Sequence, residues 1–195
     1  MNRRLALFLF LLLLLAACGG KKVTRIGTDT TVDLSGRWND TDSRLVAQEM
    51  ITDCLSHRWI TDHLTMSEGI PVVTVGGIRN RTQERTASQT FISDIERAFI
   101  NSGKVRTVSS KSERAEIRAE RADQGTFASI ETMKQMAREL GADYIMTGEI
   151  NAIEDREGRK QIVFYQTDLT LTSIESNEKV WIGQKKIKKD IKHPR

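Results

Sequence analysis

Cysteine is nearly missing from this sequence: Cys18 and Cys54 are its only two. If Cys18 is used covalently, Cys54 is left without a partner, so no disulfide framework can hold the fold. Cys54 then reads as a small buried hydrophobe. Long apolar runs are equally scarce. Past residue 15 none approaches the ~20 residues that a membrane-spanning helix needs. Charge of one sign is also lacking. The formal net charge is +4, and Arg3 and Arg4 at the extreme N-terminus supply two of those charges, so there is no nucleic-acid footprint. Catalytic signatures are missing as well. There is no Walker loop, no His-Glu-x-x-His and no Gly-x-Ser-x-Gly, and Gly76-Gly77 lacks dinucleotide-fingerprint spacing. Cys54 and His57 stand at i and i+3 on an expected helix, where a nucleophilic pair or half a zinc site would stand. Neither has further partners that the sequence assigns, and a core cysteine beside a surface histidine is the simpler reading. No enzyme activity, metal or cofactor is therefore expected.

What is there begins at the N-terminus. Arg3 and Arg4 precede an unbroken apolar stretch from Leu5 to Leu15, followed by Ala16, Ala17 and Cys18. A basic start, a short hydrophobic middle and small residues before the cut make a signal peptide over residues 1–17. Leu-Ala-Ala-Cys has the pattern of a bacterial lipobox, which assigns lipid attachment to Cys18. From Gly19 to Gly36 no hydrophobic period is present, and residues 18–36 read as the lipidated cysteine plus a flexible tether.

Residues 37–195 read as a single α/β domain; 38% hydrophobic and 29% charged residues suit a globular chain. The pattern predicts a helix opening at Thr41 or Asp42 and running to Trp59, with a polar connection from Thr61 to Gly69. Pro71 to Ile78 is apolar on both parities, which marks a covered, central strand. Ser88 to Asn101 carries Phe91, Ile92, Ile95, Ala98 and Phe99 on one stripe, a clear amphipathic helix. A short strand over Lys104–Val108 follows. Helices are then expected from Ser110 to Ala122 and from Thr126 to Leu140. Three strands close the chain: Asp143–Ile153, Arg159–Ile174 and Lys179–Ile191. Right-handed parallel crossovers followed by an antiparallel meander predict one mixed five-stranded sheet in order 2-1-3-4-5, with helices on both faces. Lys185, Lys186, Lys188 and Lys189 fall on the last strand, where lysine discourages edge pairing.

Several stretches resemble the penicillin-binding protein activator family LpoB: Leu34-Ser-Gly-Arg-Trp-Asn-Asp-Thr-Asp42, Pro71-Val-Val-Thr-Val-Gly-Gly-Ile-Arg-Asn-Arg-Thr82, Phe99-Ile-Asn-Ser-Gly103, Leu140-Gly-Ala-Asp-Tyr-Ile-Met-Thr-Gly-Glu-Ile150 and Lys179-Val180-Trp181. Gly141-Ala142-Asp143-Tyr144 alone also looks like the secretion lipoprotein CsgG and the TolB N-terminal domain. The LpoB resemblance implies a non-catalytic, monomeric outer-membrane lipoprotein whose domain faces the periplasm. It would bind a bifunctional class A penicillin-binding protein and stimulate peptidoglycan synthesis. The alternative it leaves is a CsgG-like envelope secretion or assembly part. Gly19 after the lipid cysteine fits outer-membrane sorting as in many Gram-negative lipoproteins. The better-known family members carry a much longer, proline-rich tether than Gly19–Gly36. For the partner surface, the turn Arg79, Asn80, Arg81 and Thr82 and the hairpin end Glu157, Arg159 and Lys160 are the candidates, because recognition concentrates on loops held by a rigid sheet.

Overall fold

The structure is a computed structural model that describes residues 23–192 except 29, 68, 85–87, 110–112, 118 and 121–140. The expected signal segment and Cys18 lie outside the described residues, as does most of the two helices expected between 110 and 140. The chain divides into two units, Met1–Thr30 and Thr31–Arg195. In the first, residues 23–28 and 30 form no regular structure, and Thr30 N–H closes a turn on the Gly27 carbonyl at 3.1 Å. The fold is the property of the second.

Its sheet has five strands in order β2-β1-β3-β4-β5, as the crossover argument predicts. They are β1 (Val72–Asn80), β2 (Arg106–Val108), β3 (Tyr144–Glu157), β4 (Lys160–Ser173) and β5 (Lys179–Lys192). β2, β1 and β3 run parallel, and β3, β4 and β5 form the antiparallel meander. Asp143 joins the start of β3 to that of β1: its carboxylate accepts from Val72 N–H and its N–H donates to Val72 carbonyl, both at 2.8 Å. Gly76-Gly77 forms an irregularity where the β1–β3 register shifts between Val75 and Ile78.

β3 is longer than its apolar pattern suggests. Glu154 to Glu157, expected as loop, continue the ladder until Glu157 faces Lys160. β1 pairs with β3 only as far as Ile150, so the ends of β3, β4 and β5 form a three-stranded ribbon that projects past β1. Strand residues there meet solvent on much of their surface, which is why their sequence is polar.

Three helices complete the described unit: α1 (Asp40–Cys54), α2 (Trp59–Met66) and α3 (Ser88–Ser102). Residues 113–117 are also helical. The first cap falls earlier than Thr41. Asn39 is the N-cap: its side chain accepts from Asp42 N–H at 3.0 Å, while the Asp42 carboxylate accepts from Asn39 N–H at 3.0 Å, a reciprocal capping box. The helix also stops earlier than Trp59. Trp59 Nε1 donates to the Cys54 carbonyl at 2.8 Å, and the chain turns before α2 begins. The stretch expected as a polar connection from Thr61 is thus mostly helix. Its inward residues, Trp59 and His63, pack edge-on to Tyr144, with ring centroids 5.0 and 5.5 Å away.

α1 and α3 pack on each other; α1 also rests on β5, and α3 on β1 and β2. One core joins Val46, Met50, Ile51 and Cys54 of α1 and Phe91, Ile95 and Phe99 of α3 to Val73, Val75, Met146, Ile150, Leu169 and Leu171 of the sheet. All three helices bury side chains in this core face. The second crossover, expected on the opposite face, falls on residues mostly outside those described.

Candidate functional site

The turn after β1 is ordered by its own polar groups. Asn80 Nδ2 donates to the Glu84 carbonyl at 2.8 Å, and Asn80 Oδ1 accepts from Thr82 N–H at 2.9 Å. Thr82 Oγ1 accepts from Glu84 N–H at 3.1 Å. These two residues shape the loop. Arg79 and Arg81 are exposed, and Arg81 lies 3.7 Å from the Glu149 carboxylate on the neighbouring strand. Glu157, Arg159 and Lys160 form the tip of the β3–β4 hairpin, where Gly158 takes the left-handed conformation, φ +58°. The two candidate sets are not brought together. Asn80 pairs with Ile150, and the seven further residues to Glu157 put about 23 Å between them along the strand.

The most elaborate polar cluster lies where the sequence reading placed the end of a tether. Residues 33–38 cross the core face of the projecting ribbon. Gly36, at φ +68°, lies flat against Ile191; a Cβ there would come within 2.3 Å of the Ile191 side chain. Trp38 meets Tyr165 and Phe91 edge-on, with centroids 5.7 and 5.8 Å away. The Tyr165 hydroxyl donates to Glu84 at 2.6 Å and accepts from Trp38 N–H at 3.1 Å. Burial first, then the Glu84 carboxylate, push the Tyr165 phenol far above its ordinary range, so it stays a donor.

Lys189 closes this strap. It is only 9% exposed, and its Nζ donates to Asp42 Oδ2 at 2.5 Å and to the Arg37 carbonyl at 2.9 Å, while Asp33 Oδ2 lies 2.9 Å away. Three acceptors satisfy the three donors of the ammonium. The last lysines divide between the two faces of this edge strand. Lys185 and Lys189 share the parity of Trp181 and Ile187 and turn to the helix side, where Lys185 pairs with Glu49 at 2.6 Å. Lys186 and Lys188 face the other way and are exposed.

Beside β5 runs an open groove of about 980 Å³ between that strand and α1. Leu45, half exposed, forms one wall and Ile187 part of the other. Trp181 lies along the floor, its Nε1 donating to Asp53 Oδ2 at 2.9 Å. Its indole crosses Gly183, where a Cβ would sit 2.2 Å from the ring.

Cys54 is wholly buried, and burial pushes its thiol up to about 12, which suits packing and not nucleophilic attack. His57 is exposed and holds the Asp53 carbonyl at 2.8 Å through Nδ1. Among the described residues no group of three or more His, Cys, Asp or Glu side chains could hold a metal, and no helix is long and apolar enough to cross a membrane. The sequence reading missed the strap and Lys189. The signal was present in the period of β5, where Lys185 and Lys189 occupy the apolar parity.

Comparison with known proteins defines first a class, the activators of peptidoglycan synthases: the family model described as "Peptidoglycan-synthase activator LpoB" matches residues 42–187. This is a regulatory class, and the match spans α1 through most of β5. The chain belongs to the LpoB family. Comparison with curated proteins finds no match. Among solved structures, the LpoB C-terminal domain from Salmonella enterica is 16% identical, covering 75% of this chain and 98% of that one at a TM-score of 0.43. The solution structure of E. coli LpoB is 15% identical, covering 91% and 85%, also at 0.43. Lipoprotein GNA1162 from Neisseria meningitidis is 10% identical, covering 62% and 83% at 0.42.

Proposed function

We propose that this protein is an outer-membrane lipoprotein, anchored through Cys18, that binds a class A penicillin-binding protein and raises its rate of peptidoglycan synthesis. The observation that carries the reading is the family match over residues 42–187. The protein does no chemistry itself in this reading. It binds the synthase's active conformation more tightly than the resting one and shifts the population; a tenfold rise in rate from a mostly resting enzyme needs about 1.4 kcal/mol of differential affinity. The domain acts as a monomer facing the periplasm. Arg79, Arg81 and the hairpin tip at Glu157, Arg159 and Lys160 are the proposed contacts, with Asn80 and Thr82 holding the first of these turns in shape.

In this reading the tether is the chain from Gly19 to Thr30, ahead of the unit that begins at Thr31. Its full extension is about 40 Å, and the partner's docking domain must come within that distance of the anchoring membrane. The test is a polymerisation assay with the cognate synthase and a lipid-linked precursor. A several-fold faster rate with the added protein is expected; an unchanged rate at saturating protein refutes the proposal.

A further inference from the structure

β5 is the terminal strand of the sheet, and its fourteen residues contain no proline. No backbone hydrogen bond joins its outer side to another strand among the described residues. Edges of this length are blunted by proline, by a mid-strand bulge or by charge, lysine above all. Here the register shift sits near the start of β5, opposite Leu171 and Thr172, and Gln184 to Lys192 pair regularly with β4. Four lysines guard this edge against indiscriminate pairing, but the net charge they leave differs between its two sides. Lys185 and Lys189 are neutralised by acids on the helix side, while Lys186 and Lys188 remain exposed on the opposite face. The two sides of the edge thus differ in kind. One carries a positive row, with Asp190 on β5 and Asp168 on β4, the latter held by Gln184, as its acidic neighbours. The other opens into the groove of Leu45, Trp181 and Ile187, whose nearest acids, Glu49 and Asp53, are already engaged.

We propose that β5 is a docking edge for an extended partner segment whose side chains alternate acidic and apolar. The segment adds as a sixth strand. Main-chain hydrogen bonds to β5 supply affinity, and the strand period sends acidic side chains to Lys186 and Lys188 and apolar ones into the groove. Charge complementarity selects this occupant over a second copy: β5 paired antiparallel with β5 would set the lysines of both copies on one face of one sheet. The inference concerns the mode of recognition and does not depend on which enzyme is activated.

The probe is a capped ten-residue peptide alternating Glu and Val, titrated against the full chain in detergent. Saturable binding is expected, together with slowed amide exchange in β5. Lys186→Glu/Lys188→Glu should weaken binding about tenfold and favour a Lys-Val peptide instead, as expected when charges opposite a docked chain are reversed. Both side chains are exposed, and an unchanged thermal melt checks that the variant is folded. N-methylation of alternate peptide amides should abolish binding when placed along one edge and leave it intact along the other. Equal binding of a scrambled peptide of the same composition, indifference to N-methylation on either edge, no binding at all, or a dimer held through β5 would each overturn the proposal. Since the probe is a peptide and no synthase is present, failure here leaves the activator reading to its own assay.

Discussion

Lys189→Met tests whether the strap is a structural necessity of the domain. The substitution keeps the aliphatic stem and removes the ammonium that three acceptors share. Asp42 is then left with a side chain only 12% exposed and no counter-charge. Breaking a buried pair by deleting one partner costs roughly 3–5 kcal/mol. Two features place this case at the lower end. Asp42 keeps its hydrogen bond from Asn39 N–H at 3.0 Å, and Asp33, with a side chain 40% exposed, can rehydrate. The expected loss is therefore about 3 kcal/mol, or a fall in Tm of about 6–12 °C for a unit of this size. Urea unfolding followed by tryptophan emission measures it, since Trp38 sits beside the strap. Lys188→Met is the matched control: one residue away, on the exposed face, it should stay within about 0.5 kcal/mol of the parent. Adding Asp42→Asn to Lys189→Met should restore part of the loss, a coupling of about 2 kcal/mol in a double-mutant cycle. A Lys189→Met protein within 1 kcal/mol of the parent would refute the reasoning, because the strap would then hold without its ion pairs.

Other outcomes follow from the same structure. Gly183→Ala drives a Cβ into the Trp181 indole and should cost about 1–3 kcal/mol, with a shift in tryptophan emission; a silent substitution would show that the indole moves freely. Cys54, its thiol raised from 9.0 to about 12, should resist iodoacetamide in a folded Cys18→Ser variant and react at once in urea. The sign for stability follows. The contribution is intact below pH 9, where both states hold the proton; above it the unfolded thiol ionises first, so stability falls by about 1.4 kcal/mol per pH unit as pH rises toward 12. Arg81→Glu should weaken synthase binding by about tenfold if the β1 turn is a contact, a typical loss at a well-placed interface charge. Unchanged affinity by surface plasmon resonance would remove that turn from the interface.

The sheet order was legible because it follows from connectivity: strand-helix-strand steps impose parallel crossovers, and short turns impose antiparallel neighbours. α3 was legible because Phe91, Ile95 and Phe99 repeat at helical spacing and all end fully buried. α2 was not, because no glycine or proline marks the break at residues 55–58; a tryptophan side chain bonding the Cys54 carbonyl makes it. The ends of β3 were hidden for a different reason. A ribbon that leaves its neighbours behind loses the apolar alternation by which strands are recognised. Of the proposed contacts, Arg79 and Arg81 are exposed, Arg81 beside the Glu149 carboxylate, whereas Asn80 and Thr82 spend their side chains on the turn. The strap escaped notice because its residues are polar and local sequence cannot reveal a partner 147 positions away.

The strap also sets the mechanical character of the domain. Tension arriving along the chain from its N-terminal side meets Asp33 before it meets α1, and Asp33 is held to β5 by Lys189. The load passes into the last strand of the sheet, through an ion pair backed by Gly36 against Ile191 and Trp38 against Tyr165. The helix N-terminus, the easier place to start unravelling, is shielded from it. A chain anchored through Cys18, as proposed, would yield first under tension at an ionic clasp that re-forms, with its hydrophobic interior left closed.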